Sequence, residues 1–118
     1  MVRKEFSTLG VLGVYTGRVV DPAGFASTAD VLDYLFPGVM TLGMATVSRI
    51  AAREIARQHP HLAALPKCTV ENWRAWGEAA VAVLGPTLIV EGPYTPAENA
   101  LNEAWRLWTE EMEIFRID

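Results

Sequence analysis

Apolar positions recur along the chain mostly at helical spacing. Leu9, Val11, Leu12 and Tyr15 form one apolar face after Ser7, a residue suited to capping a helix, and Gly17 stands where a left-handed residue would end it. Arg18-Val19-Val20 reads as a short strand, closed by the turn-forming run Asp21-Pro22-Ala23-Gly24. Ser27 or Thr28 is expected to cap a second helix. Its stripe is Val31, Leu32, Leu35 and Phe36, with Asp30 and Asp33 turned away and Pro37-Gly38 ending it. A third helix over 41–58 repeats Met44, Val47, Ala51 and Ile55 at three and four residues and stops before Pro60. Thr69 caps a fourth, carrying Trp73, Trp76, Ala80 and Leu84 on one side. The β-branched run Thr87-Leu88-Ile89-Val90 predicts a strand, and Thr95 with Glu98 forms a capping box before a fifth helix over 96–115. Leu101, Ala104, Trp105, Trp108, Met112 and Phe115 make that last segment strongly amphipathic.

These elements predict an α+β fold, mainly α: a compact single domain spanning 1–118, with about five helices and two short strands. The strands at 18–20 and 87–90 are expected to pair, over a core built from the third, fourth and fifth helices. A chain of 118 residues, 51% hydrophobic and 20% charged, excludes a disordered polyelectrolyte and is long enough for one core without covalent staples. Cys68 is the only cysteine, so no internal disulfide forms, and it is read as a small side chain, buried or half-buried. No apolar core of a signal peptide follows the basic start, and the longest apolar run, 79–90, is broken by Gly85-Pro86. A soluble, cytoplasmic protein with no membrane association is expected.

The net charge of −4 is unevenly distributed. Residues 1–70 sum to +2 and residues 71–118 to −6. The basic part contains Arg49, Arg53 and Arg57, spaced to share one helix face, where guanidinium groups could hold phosphates or carboxylates. The plainer expectation is a solvated face, with Glu54 pairing to Arg57 at i, i+3. The acidic part ends in Glu103, Glu110, Glu111 and Glu113, a row suited to docking on a basic protein surface. His59-Pro60-His61 lacks the companion thiols and helical presentation of a metal site; His59 is expected to meet the last carbonyls of the third helix. Gly10 and Gly13 form a loose glycine pair that matches no phosphate-binding loop. No catalytic, metal-ligating or cofactor motif emerges, so no enzyme activity, metal or cofactor is expected.

Several short motifs in the first half carry a resemblance. Val11-Leu12, Thr16-Gly17-Arg18-Val19, the Val31–Leu35 segment and Arg57-Gln58-His59-Pro60-His61-Leu62 occur in that order. This arrangement resembles a family of small tailed-phage and prophage proteins of unassigned function, over about half of the chain. Where that family often has a Thr-His segment before its long helix, this sequence has Thr41-Leu42-Gly43-Met44. The resemblance implies a phage-encoded accessory protein in the cytoplasm of a bacterial host. Together with small size, the charge division and absent catalytic motifs, it suggests stoichiometric binding to a host protein or complex with a basic surface. Inhibition of a defence complex, as by an anti-CRISPR protein, is the specific form of that expectation. Two alternatives are a nucleic-acid-binding phage regulator using the Arg49, Arg53 and Arg57 face, which the negative charge argues against, and a structural homo-oligomer, a homodimer being the simplest.

Overall fold

The computed structural model describes residues 2–37 and 44–93, the side chains of residues 44–47 excepted. The order is strand β1 (Val2–Ser7), helices α1 (Thr8–Thr16), α2 (Ala26–Leu35) and α3 (Met44–Gln58), a 3-10 turn (Pro60–Ala64), helix α4 (Trp73–Leu84) and strand β2 (Thr87–Gly92). Four α-helices are therefore present among the described residues, where five were expected over the whole chain. The predicted fifth, at 96–115, lies outside the described residues. The mainly helical, single compact domain with a small sheet agrees with the sequence reading.

The strand pairing does not follow the expectation. Strand β2 pairs antiparallel with the N-terminal strand β1, in the register Val2↔Gly92, Lys4↔Val90 and Phe6↔Leu88. Residues 18–20 form no strand. Val20 is buried while Val19 is exposed, a pattern that a connection crossing the core edge satisfies equally well. Charged residues at Arg3, Lys4 and Glu5 concealed β1 in the sequence, because only Phe6 of this strand enters the core.

The core is also centred differently. Val11, Leu12 and Val14 of α1 are buried together with Val31, Leu32 and Leu35 of α2. Ile50, Ala51 and Ile55 of α3, Trp76 and Ala80 of α4, Phe6 and Val90 of the sheet, and Val20, Phe36 and Leu62 outside these elements complete the cluster. Helix α1 is so apolar that it is enclosed rather than amphipathic. It is the central helix, whereas the core was expected from the third, fourth and fifth helices without it. Trp76 is buried and donates its indole N–H to the Pro66 carbonyl at 2.6 Å, as a buried indole requires. Trp73 packs half-buried against the same cluster. Trp105 and Trp108 lie outside the described residues.

Helix ends follow from local chemistry, with two changes from expectation. Gly17 ends α1 in the left-handed region, its N–H bonded to the Gly13 carbonyl, as predicted. Ser7 occupies the cap position of α1 without a side-chain capping bond, because it is also the last residue of β1. Helix α2 begins at Ala26, ahead of the predicted caps, and the Ser27 hydroxyl instead donates to Asp21 Oδ2 at 2.7 Å. Asp21 Oδ1 in turn accepts the Ala23 N–H, so one aspartate organises the whole turn between α1 and α2. Thr69 and Asn72 cap each other before α4: Thr69 N–H donates to Asn72 Oδ1, and Asn72 N–H donates to Thr69 Oγ1.

The glycine pair has a packing role. A Cβ on Gly10 would stand 2.6 Å from the Ser27 carbonyl oxygen, and one on Gly13 would stand 2.2 Å from Thr28 Oγ1. Both glycines lie on the side of α1 that receives α2, so the two helices cross at a separation that no other residue permits. Replacing Gly10 with Ala drives a methyl group into backbone rather than into a side chain that can move. Gly10→Ala is therefore expected to destabilise the fold by about 2 kcal/mol or more, the range for overpacking a filled interior. Chemical denaturation of the variant against the parent chain measures this.

Candidate interaction surface

The two edges of the sheet are treated differently, and the candidate surface arises from that difference. At the end of α3, the Gln58 side chain turns toward β2. Its amide nitrogen donates to the Glu91 carbonyl at 2.9 Å and its amide oxygen accepts the Glu91 N–H at 2.8 Å. The next outward carbonyl of β2, that of Ile89, lies 2.7 Å from His59 Nε2. Two consecutive side chains thus occupy the edge of β2 where a third strand would otherwise pair. His59 does not meet the carbonyls of its own helix, as expected from sequence; it reaches across to the sheet.

Gln58 is held in turn by Glu54, whose Oε1 accepts its second amide proton at 2.8 Å. Glu54 is only 5% exposed, and Arg57 donates to both of its oxygens through Nε, at 3.2 and 3.1 Å, and to Oε1 through Nη2 at 2.5 Å. Burial pushes the Glu54 carboxyl upward, but hydrogen bonds from Arg57 and Gln58 and the nearby Arg57 charge outweigh it. The group is held below its ordinary value. The predicted i, i+3 pair is present, and it is more deeply placed than a solvated face would require.

This arrangement changes the arginine row. Arg49, Arg53 and Arg57 are all exposed on the outer side of α3, as their spacing implies, yet Arg57 is committed to a buried carboxylate. Arg57, Gln58 and His59 line a cleft of about 270 Å³ with Arg3, Ile89 and Glu91. The Arg3 guanidinium faces Glu91 across the two-stranded sheet at 3.2 Å, so both arginines named in this cleft have carboxylate partners. The acidic row Glu103, Glu110, Glu111 and Glu113 lies outside the described residues.

On the β1 side the surface is open and acidic. A groove of about 670 Å³ runs between β1 and α2, lined by Lys4 to Ser7, Asp30, Asp33, Tyr34, Pro37 and Pro93. Phe6 and Tyr34 form its floor, with ring centroids 5.1 Å apart. Lys4 Nζ lies over both rings, at 5.2 and 5.8 Å from their centroids, so the one cation of the groove among the described residues is drawn onto aromatic faces. The Tyr34 hydroxyl donates to the Val2 carbonyl and ties α2 to the beginning of β1. Asp30 and Asp33 are exposed and make no ion pair with any described residue, and against Lys4 they give the groove a negative balance. Sequence reasoning had placed both aspartates on the outer face of α2 but could not bring them beside β1, since that strand was not recognised.

Among the described residues no group of three or more histidine, cysteine, aspartate or glutamate side chains is placed to hold a metal ion. No described helix is long and apolar enough to cross a membrane. Cys68 is half-buried against the core.

The folded-state lowering of the Glu54 carboxyl sets a pH test. A depressed value contributes stability above the unfolded-state value of about 4.3, lost as the pH falls through the folded value. At pH 7, Glu54→Gln is expected to cost about 1–3 kcal/mol by leaving Arg57 without its charged acceptor. The difference between Glu54→Gln and the parent chain should then shrink as the pH is lowered below about 4.3, as measured by urea denaturation at each pH. Comparison of the chain with protein-family models, curated proteins and solved structures found no match, so a functional assignment rests on the geometry described above.

Proposed function

We propose that the protein works by stoichiometric, non-catalytic binding to a partner protein, and that the partner presents a basic segment to the groove between β1 and α2. The observation that carries this reading is the groove itself. Two exposed aspartates, neither in an ion pair with any described residue, flank an aromatic floor beside a strand edge that nothing in the described residues covers. Complementary charge steers such an encounter, and an aromatic floor supplies contact area at little cost in side-chain freedom. A basic partner surface is also the chemistry that the acidic half of the sequence favours.

The resemblance to small phage and prophage proteins supports an accessory role, and inhibition of a bacterial defence complex is its most specific form. Nucleic-acid-handling complexes expose basic channels, which an acidic groove would fit. The rival reading, phosphate binding by Arg49, Arg53 and Arg57, is weakened by the engagement of Arg57 with Glu54.

Reversing the groove charge tests the proposal. The tagged chain is expected to retain a bacterial partner in a fixed ratio at ~0.05 M salt and to release it at ~0.5 M, where screening removes attraction between exposed charges. The Asp30→Lys/Asp33→Lys variant should fold normally and lose that partner at low salt. An Arg49→Glu/Arg53→Glu variant should retain it. Retention by the aspartate variant, with loss in the arginine variant, would transfer the function to the α3 face.

A further inference from the structure

We infer that the β1 edge is a receptor for strand addition: a basic, extended segment of the partner protein pairs with β1 as a third strand of the sheet. This rests on the protein-binding reading above and specifies how the same groove is filled.

The geometry follows from the pairing register. Gln58 bonds both backbone groups of Glu91, so Glu91 points its N–H and C=O away from β1. The outward Ile89 carbonyl, two residues earlier, has the same sense. In an antiparallel pair, residues opposite one another point their backbone groups either toward each other or both outward. Arg3 lies opposite Glu91 and Glu5 opposite Ile89. The N–H and C=O groups of Arg3 and Glu5 therefore face away from β2, on the free edge. No described residue bonds to these four groups. They present the donors and acceptors that an added strand takes up, at the spacing of every second residue.

The molecule itself shows what an edge without this purpose looks like. Strand β2 also ends the sheet, and there two side chains of α3 are committed to covering it. Among the described residues, strand β1 has no equivalent cover. Its mixed charges, Arg3, Lys4 and Glu5, discourage indiscriminate pairing with apolar strands while admitting a charged one.

The groove then selects the added strand. Side chains on the face shared by Lys4 and Phe6 point toward Tyr34 of α2, as the ring contacts show. An added strand places every second side chain on this same face, above the groove that contains Asp30 and Asp33. Cationic side chains at alternate positions meet those carboxylates, while the residues between them face solvent. The occupant is accordingly a lysine- or arginine-bearing segment in extended conformation.

An acetylated and amidated seven-residue peptide, lysine alternating with valine or threonine, provides the probe. Titrated into the full-length chain, it should shift the amide resonances of Arg3 and Glu5 and slow their hydrogen exchange at least tenfold. N-methylation of the peptide amides that face β1 should weaken binding at least tenfold at unchanged charge, and glutamate in place of lysine should abolish it. Equal affinity of the N-methylated peptide, or unchanged exchange at Arg3 and Glu5 in the bound state, would overturn strand addition. Loss of the bacterial partner in Asp30→Lys/Asp33→Lys would then still stand for the broader reading. No binding of the lysine peptide overturns the inference as well. So does protection of both amides before any peptide is added, with sedimentation assigning the occupant to a second copy if the chain is dimeric and to its own residues if monomeric.

Discussion

The pinch of the Gln58 amide on the backbone of Glu91 organises this protein. One side chain satisfies two strand groups that would otherwise be unpaired, and it uses its remaining amide proton on Glu54. Every polar group in this chain of contacts has a partner, which is the condition for placing a carboxylate at 5% exposure beside a sheet. The third helix is thereby fixed to β2 at its C-terminal end, and among the described residues only the β1 edge of the sheet is left uncovered.

A two-stranded sheet has marginal stability by itself and must be packed against something. Here α1 and α2 supply the packing, and they do so through their close crossing at Gly10 and Gly13. Bringing α2 within backbone distance of α1 places Tyr34 under β1, where its ring meets Phe6 and its hydroxyl ties down Val2. The same placement carries Asp30 and Asp33 to the border of the open edge. Packing requirements in the interior thus set the electrostatics of the surface, although neither aspartate touches the core.

Much of the helical architecture was legible because it follows periodicity and end signals. Gly17 ended α1, Pro37 followed α2, and the stripe Trp76 and Ala80 turned inward on α4. What escaped the sequence depended on partners distant in the chain. Strand β1 carries three consecutive charges and one buried side chain, so neither alternation nor hydrophobicity announces it; its identity comes from β2, more than eighty residues away. Val19-Val20 has the composition of a strand but no edge to join, since β1 already occupies that side of β2. The glycine pair looked functionless because its purpose lies in what it approaches rather than in what it contains. Gln58 and His59 were visible as a motif, and their task was not, because a glutamine amide that imitates a backbone has no signature of its own.

The position of the short motifs narrows what they mean. Thr16-Gly17-Arg18 forms the end of α1: the threonine hydroxyl bonds the Leu12 carbonyl and receives the Arg18 N–H around the left-handed glycine. Gln58-His59-Pro60 closes the edge of β2 and begins the 3-10 turn. Both are structural devices, one ending a buried helix and the other sealing a sheet. The residues to which the proposed reading assigns the choice of partner, Asp30 and Asp33, stand at exposed positions outside both of these segments. On the proposed reading fold and recognition are separable: exchanging the exposed Asp30 and Asp33 leaves the glycine crossing and the glutamine pinch in place, and a different charge pattern beside the same edge would select a different strand.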